Sequence, residues 1–185
     1  DDLLVYMDGS AAVIGEMMLP ILEPLTPDAL EPARDLGNAF QLTNFLRDID
    51  EDLDRGRQYI PLEDSERFGI DLTTRQVTPS FVQLMQFEID RCRALYRSAE
   101  IGIAMLPDRS AKCVLAAHTL YGRILGKIEA QDYDVFSSRA SVSTTRWCST
   151  IRPSGSRSRT SLSRTGPRRT FLSLRLVVRL PASGP

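Results

Sequence analysis

A chain of 185 residues with 42% apolar and 7% aromatic side chains can bury one ordinary domain core. Its longest apolar stretches, such as Leu3 to Tyr6 and Ala11 to Ile14, fall far short of the roughly 20 residues that a bilayer crossing requires, which excludes an uninterrupted membrane span. Cys92, Cys113 and Cys148 are odd in number and lack paired ligand spacing, which argues against a disulfide framework or a zinc site and points to a reducing, cytoplasmic setting.

The formal charge of −1 combines two unlike regions. All 24 acidic residues lie at or before Asp134, so residues 1–138, with thirteen basic side chains, carry a net −11. The chain opens Asp1-Asp2 with no initiator Met and no charged-then-apolar leader, and the expectation is a cut through a longer protein whose N-terminal part is missing.

In chain order, the first helix is predicted from Asp2 to about Leu22. Leu3, Tyr6, Ser10, Val13 and Met17 share one face, and Pro20 and Pro24 end it. A second helix is predicted from about Asp28 or Ala33 to Asp54, with apolar bulk from Leu36, Ala39, Phe40, Phe45 and Leu46 on more than half its circumference. Arg55-Gly56-Arg57 stops it, and a loop follows as far as Pro79. A third helix carries Phe81, Leu84, Met85, Ile89, Cys92 and Leu95 and ends near Pro107. Asp108 is placed as the cap of a fourth, in which Cys113, Ala116, Ala117, Leu120, Ile124 and Ile128 repeat at helical spacing. No strand pattern interrupts them, and the fold class is all-α.

The second helix carries the chemistry. Asn44, Asp48 and Asp52 recur every four residues and so form one polar stripe. Two aligned carboxylates and an amide oxygen repel one another unless a cation lies between them, and hard oxygen donors suit magnesium, which keeps water and bridges to phosphate. Such a charge run is by itself most often a solvated helix end. Gln41 and Asn44, however, sit among apolar neighbours, where an unpartnered amide costs about 1–3 kcal/mol, so a polar cavity is expected there. Arg47, Arg55 and Arg57 flank the stripe and suit a bound diphosphate, although cations at a helix end need no ligand. His118, alone of its kind on an apolar helix, is read as structural.

From Arg139 to Pro185 there is no Asp, Glu or Lys but ten Arg, sixteen Ser or Thr and seven Pro or Gly, a composition that cannot easily build a core. A disordered extension, an arginine-serine segment that binds RNA, and out-of-frame translation all fit. The abrupt change after Phe136 favours the last.

Gln41 to Asp52, continued by Asp54-Arg55-Gly56-Arg57-Gln58-Tyr59-Ile60-Pro61, resembles the second aspartate-rich motif of the phytoene and squalene synthases. Tyr6 to Gly15 resembles the family's tyrosine and small-residue segment, with Asp8 as a departure. Leu120 to Leu125 and Asp132 to Phe136 resemble its last active-site helix and the segment after it. The resemblance covers about residues 1–138 and implies a terpenoid synthase-like helical bundle, with 139–185 as a tail outside it.

The resemblance further implies head-to-head condensation of two geranylgeranyl diphosphates to phytoene through a cyclopropylcarbinyl diphosphate, as in carotenoid biosynthesis. Magnesium, or manganese in its place, would be held by Asn44, Asp48 and Asp52. Gln41, Arg47, Arg57 and Tyr121 would bind diphosphate, and Tyr6 would face the developing carbocation. No NADPH is expected for a phytoene synthase, nor any nucleic-acid partner, and contact with the membrane would be peripheral at its cytoplasmic surface. A squalene or dehydrosqualene synthase using farnesyl diphosphate is the alternative within the family. A non-catalytic relative, or an RNA-binding protein acting through the tail, is the alternative of another class. The family's first aspartate-rich helix has no counterpart before Gln41, so this chain alone is expected to make no phytoene or squalene from either diphosphate; product extracted from a purified preparation would overturn that expectation.

Overall fold

The computed structural model describes residues 2–142, and these contain helices and loops but no strand. The seven α-helices are α1 (Asp2–Met7), α2 (Val13–Leu22), α3 (Leu30–Arg47), α4 (Ile49–Asp54), α5 (Leu62–Arg67), α6 (Pro79–Ile103) and α7 (Asp108–Ala130). The tail from residue 143, with Cys148, lies outside the described residues.

The predicted first helix is α1 and α2 joined without a break by one widened π-helical turn, Asp8–Ala12. Within that turn the Ser10 hydroxyl donates to the Tyr6 carbonyl at 2.7 Å. Ala11 and Ala12 are buried, and a Cβ on Gly37 would lie 2.2 Å from the Ala11 oxygen. One turn on, a Cβ on Gly15 would lie 2.0 Å from the Ala33 oxygen. The small residues of this segment thus bring two helix backbones into direct contact. Arg34 of α3 pairs with Asp8 and with Glu16, so a single guanidinium answers one carboxylate of the π turn and one of α2.

Leu3–Leu22 is nevertheless apolar and long enough for a membrane span by composition, with mean hydropathy 1.3 and 17% of its window buried. Scanning for unbroken apolar runs missed this, because the two carboxylates divide the stretch. Pro20 lies inside α2 instead of ending it, and the stop comes at Glu23, which adopts the left-handed conformation at φ 53°.

Helix α3 is the central element, packed against α2, α6 and α7, and it buries Ala39, Leu42, Thr43, Phe45 and Leu46. The predicted continuous second helix is interrupted at Asp48, whose φ of −106° and ψ of 18° separate α3 from α4. No glycine or proline marks the place. Hydrogen bonds of helical spacing from Asp48 N to Asn44 O and from Asp52 N to Asp48 O, both 2.9 Å, span the junction.

Thr78 caps α6 through the Phe81 amide at 3.1 Å, with Pro79 in its first turn. Phe81, Leu84, Met85, Ile89, Cys92 and Tyr96 then bury one face of it. Helix α7 is preceded by Pro107, and Asp108 stands inside the helix and makes no side-chain cap bond. Arg93 binds Glu129 at 2.6 and 2.7 Å and ties α6 to α7. His118 is buried, with Nε2 3.2 Å from the Tyr96 carbonyl, as a structural histidine would be. The predicted loop between residues 55 and 79 holds two short helical pieces, α5 and a 3₁₀ turn at Leu72–Thr74.

After α7, Asp132 and Tyr133 take left-handed conformations and turn the chain back across the bundle. Gln131 Nε2 donates to the carbonyls of Asp134 and Ser138, and Ala140 is buried in the core. Packed chain therefore continues past residue 138.

Gly37→Ala is expected to destabilise the fold by about 1–3 kcal/mol, because its methyl meets backbone that cannot step aside. Gly126→Ala, on the exposed side of α7 with open space around it, is expected to stabilise by about 0.5–1 kcal/mol. Urea denaturation midpoints of the two variants check both signs.

Candidate active site

The site is built where α3 passes into α4. Asn44, Asp48 and Asp52 stand on successive turns, each half-buried, and Gln41 precedes them on the same side of α3. Asp48 is gripped from two directions. Arg47 donates Nε to Oδ1 and Nη2 to Oδ2, both at 2.6 Å, and Arg139 donates Nε and Nη2 to the same two oxygens at 2.8 and 3.0 Å. Burial alone would push this carboxyl up, but the two guanidiniums outweigh it and hold Asp48 below the ordinary aspartate range.

Asp52 shows the opposite balance. Burial and the like charge of Asp48 raise its pKa, and Arg55 at 3.3 Å opposes them without prevailing. Two carboxylates one turn apart thus sit in contrasting electrostatic surroundings. Arg57 and Tyr59 come from the loop after α4 and line, with Asp52, Phe45 and Ile60, a narrow cleft of about 10 Å³, close to the size of one water.

Tyr6 reaches this end of the stripe from α1. Its ring centroid lies 5.7 Å from that of Tyr59 and 6.3 Å from that of Phe45, and Tyr59 stacks on Phe45 at 4.0 Å and 9°. Burial, then the hydrogen bond with Tyr59, pushes the Tyr6 phenol up, so it is neutral at physiological pH. Tyr121 of α7 packs on Phe40 at 4.5 Å, in the neighbourhood of Arg139. One end of α3 therefore gathers Tyr6, Asp52, Arg57 and Tyr59 on one side and Tyr121, Arg139, Arg47 and Asp48 on the other.

Arg139 and Tyr59 are the residues of this constellation that sequence reasoning missed. Arg139 was placed with the tail by its composition. The signal for Tyr59 was its position two residues after Arg57, inside the aspartate-rich motif.

The donor set suits magnesium in part. Two carboxylates and an amide supply hard oxygens, and an ion that retains water and bridges to phosphate needs no closed protein cage. Among the described residues no three His, Cys, Asp or Glu side chains converge on one point. The Asn38 side-chain oxygen, one turn before Gln41, is buried without a hydrogen-bond partner among the described residues.

A helical bundle with an aspartate-rich stripe, flanking arginines and two half-buried tyrosines fits a helical isoprenoid synthase fold. Residues 1–146 match the family described as squalene/phytoene synthase. The chain belongs to that family.

A 15-cis-phytoene synthase from Synechocystis sp. is 42% identical over 159 residues, covering 78% of this chain and 47% of that protein. A phytoene synthase from Arthrospira platensis is 39% identical over 160 residues, covering 78% and 52%. Among solved structures, the squalene synthase HpnC from Alicyclobacillus acidocaldarius has a TM-score of 0.68 at 30% identity, covering 72% of this chain and 52% of that one. A dehydrosqualene synthase in complex with ligand has a TM-score of 0.69 at 32% identity, covering 73% and 49%. The chain spans about half the length of these relatives.

Were this stripe to hold a divalent ion, protons would compete with it. Because Asp52 holds its proton at a higher pH than an ordinary aspartate, manganese binding read by electron paramagnetic resonance is expected to weaken as pH falls into that range. Asp52→Asn is expected to lower manganese affinity by at least about tenfold at neutral pH.

Proposed function

We propose that the chain is the metal- and diphosphate-binding part of an enzyme that joins two geranylgeranyl diphosphates head to head into phytoene by way of a cyclopropylcarbinyl diphosphate. The observation that carries this reading is the clustering of Asn44, Asp48 and Asp52 with Arg47, Arg57 and Arg139 and with the phenols of Tyr6 and Tyr121 at one end of α3. Curated relatives named as phytoene synthases, 39–42% identical, favour the C20 substrate. The squalene and dehydrosqualene synthases among the solved structures, at 30–32% identity, favour the C15 alternative.

Asn44, Asp48 and Asp52 would hold magnesium, which when bound supplies positive charge to the departing diphosphate. Gln41, Arg47 and Arg57 would orient the diphosphate oxygens, with Tyr121 donating a hydrogen bond. Tyr6, neutral and partly buried beside Phe45 and Tyr59, would present an aromatic face and a phenol oxygen to the allylic cation once the leaving group has gone. The packed aromatic wall around Tyr6 would keep water from that cation. With lipid substrates and product, the proposed enzyme would be cytoplasmic, with peripheral contact at the membrane surface.

Calorimetric titration with inorganic diphosphate tests the reading. Binding is expected with magnesium and not without it, and Asp48→Asn and Arg57→Met are each expected to weaken it. Binding indifferent to magnesium and to both substitutions would overturn the assignment. Competition by geranylgeranyl diphosphate stronger than by farnesyl diphosphate supports the C20 substrate, and the reverse order supports the C15 alternative.

A further inference from the structure

Apart from the stripe, the junction of α5 and α6 buries two acids together. Glu88 is wholly inaccessible, and Asp64 is 9% exposed. One nitrogen serves both: Arg91 Nη1 donates to Asp64 Oδ2 at 3.0 Å and to Glu88 Oε1 and Oε2 at 3.3 and 3.2 Å. The same guanidinium lies 4.9 Å from the centre of the Phe87 ring, which Arg67 of α5 also covers at 4.9 Å. Two carboxylates on one guanidinium leave an uncompensated buried charge unless one carboxyl keeps a proton.

The charged groups acting on Glu88 are Asp64 from α5 and Arg91 from its own helix. The neighbouring Cys92 thiol faces the Thr43 hydroxyl of α3 at 3.4 Å and is pushed up to about 11, mainly by burial, so it stays neutral. Burial, opposed by Arg91 and assisted by the hydrogen bond to Asp64, pushes Glu88 up to about 7.

What this cluster holds is the loop in front of α5. Ser65 Oγ donates to the Pro61 carbonyl at 3.2 Å, and Gln58 Nε2 donates to the Ile60 carbonyl at 3.1 Å. The Arg57 amide donates back to the Asp52 carbonyl at 2.9 Å. Arg57 and Tyr59 are thus suspended between Asp52 at one end and α5 at the other.

We propose that Asp64, Glu88 and Arg91 form a proton-holding clamp that fixes α5 on α6 and thereby positions Arg57 and Tyr59 beside Asp52. Arg91 and Glu88 are positioning residues. The consequence for diphosphate binding rests on the function proposed above, whereas the clamp itself does not.

In the closed clamp Glu88 is neutral below about pH 7. In the open clamp it is solvated and ionises near the usual glutamate value. A group whose pKa is raised in the closed form favours closure at low pH, and the advantage is lost as pH rises through the closed-form value.

Native-state hydrogen exchange on the whole chain, corrected for intrinsic rates, tests this at the amides of Arg57, Ser65, Phe68 and Ile70, with buried α3 amides as the internal reference. Protection of these four amides is expected to fall about tenfold between pH 6 and pH 8 while the α3 amides hold steady. Glu88→Gln is expected to abolish that pH dependence and keep the pH 6 level of protection at pH 8. Arg91→Met is expected to lose protection at both values, and Arg91→Lys to restore part of it. Protection equal at pH 6 and 8 in the unmodified chain, or a tenfold change surviving in Glu88→Gln, overturns the proposal. The measurement contains no diphosphate, so a failure of the function proposed above leaves its outcome unchanged.

Discussion

The arrangement depends on the direct contact of two helix backbones. Gly15 against Ala33 and Gly37 against Ala11 leave no space for a side chain between the first helix and α3. That contact fixes where Tyr6 stands relative to Phe45 and Tyr59, because a helix displaced by even one methyl would carry the phenol away from the stripe. Arg34, reaching from α3 to Asp8 and Glu16, sets the rotation of the first helix that the small residues leave free.

Charge is the second organising element. Helix α4 carries four acidic residues in six, and the molecule answers them from separate parts of the chain: Arg55 from the helix's own end, Arg75 from the turn before α6 and Arg139, through Glu51, from beyond α7. The surface pairs contribute little to stability one by one. Their effect is to leave Asp48 doubly paired and Asp52 only weakly so, which gives two chemically identical side chains unequal hold on a proton.

Much of the fold was legible because helices bury their faces with a period close to 3.6. Phe81, Leu84, Met85, Ile89 and Cys92 located α6, and Ile124 and Ile128 located α7. Three features were not legible, each for a physical reason. The break at Asp48 has no helix-breaking residue, so local propensity favours continuation through it. Helix α5 has six residues, too few for a period to show, and its burial of Asp64 and Ser65 depends on α6. Ala140 and Arg139 belong to packed chain although their surroundings in sequence are rich in Arg and Ser. Glu88 carried a readable signal, since an acid four residues after Leu84 falls on the apolar face of α6. The four-residue spacing of Asn44, Asp48 and Asp52 was legible, whereas the helix break at Asp48 and its pairing with Arg139 needed three dimensions.

That pairing also has a topological side. Asp48 and Arg139 are ninety-one positions apart, with α4 through α7 between them, and their twin hydrogen bonds close this span into a ring without a covalent link. Bringing ends so distant together costs more loop-closure entropy than forming a helical pair four residues apart, so these two hydrogen bonds depend on the helices between them being already packed. A polypeptide ending before Arg139 would be an open string at this point, its Asp48 left to Arg47 alone.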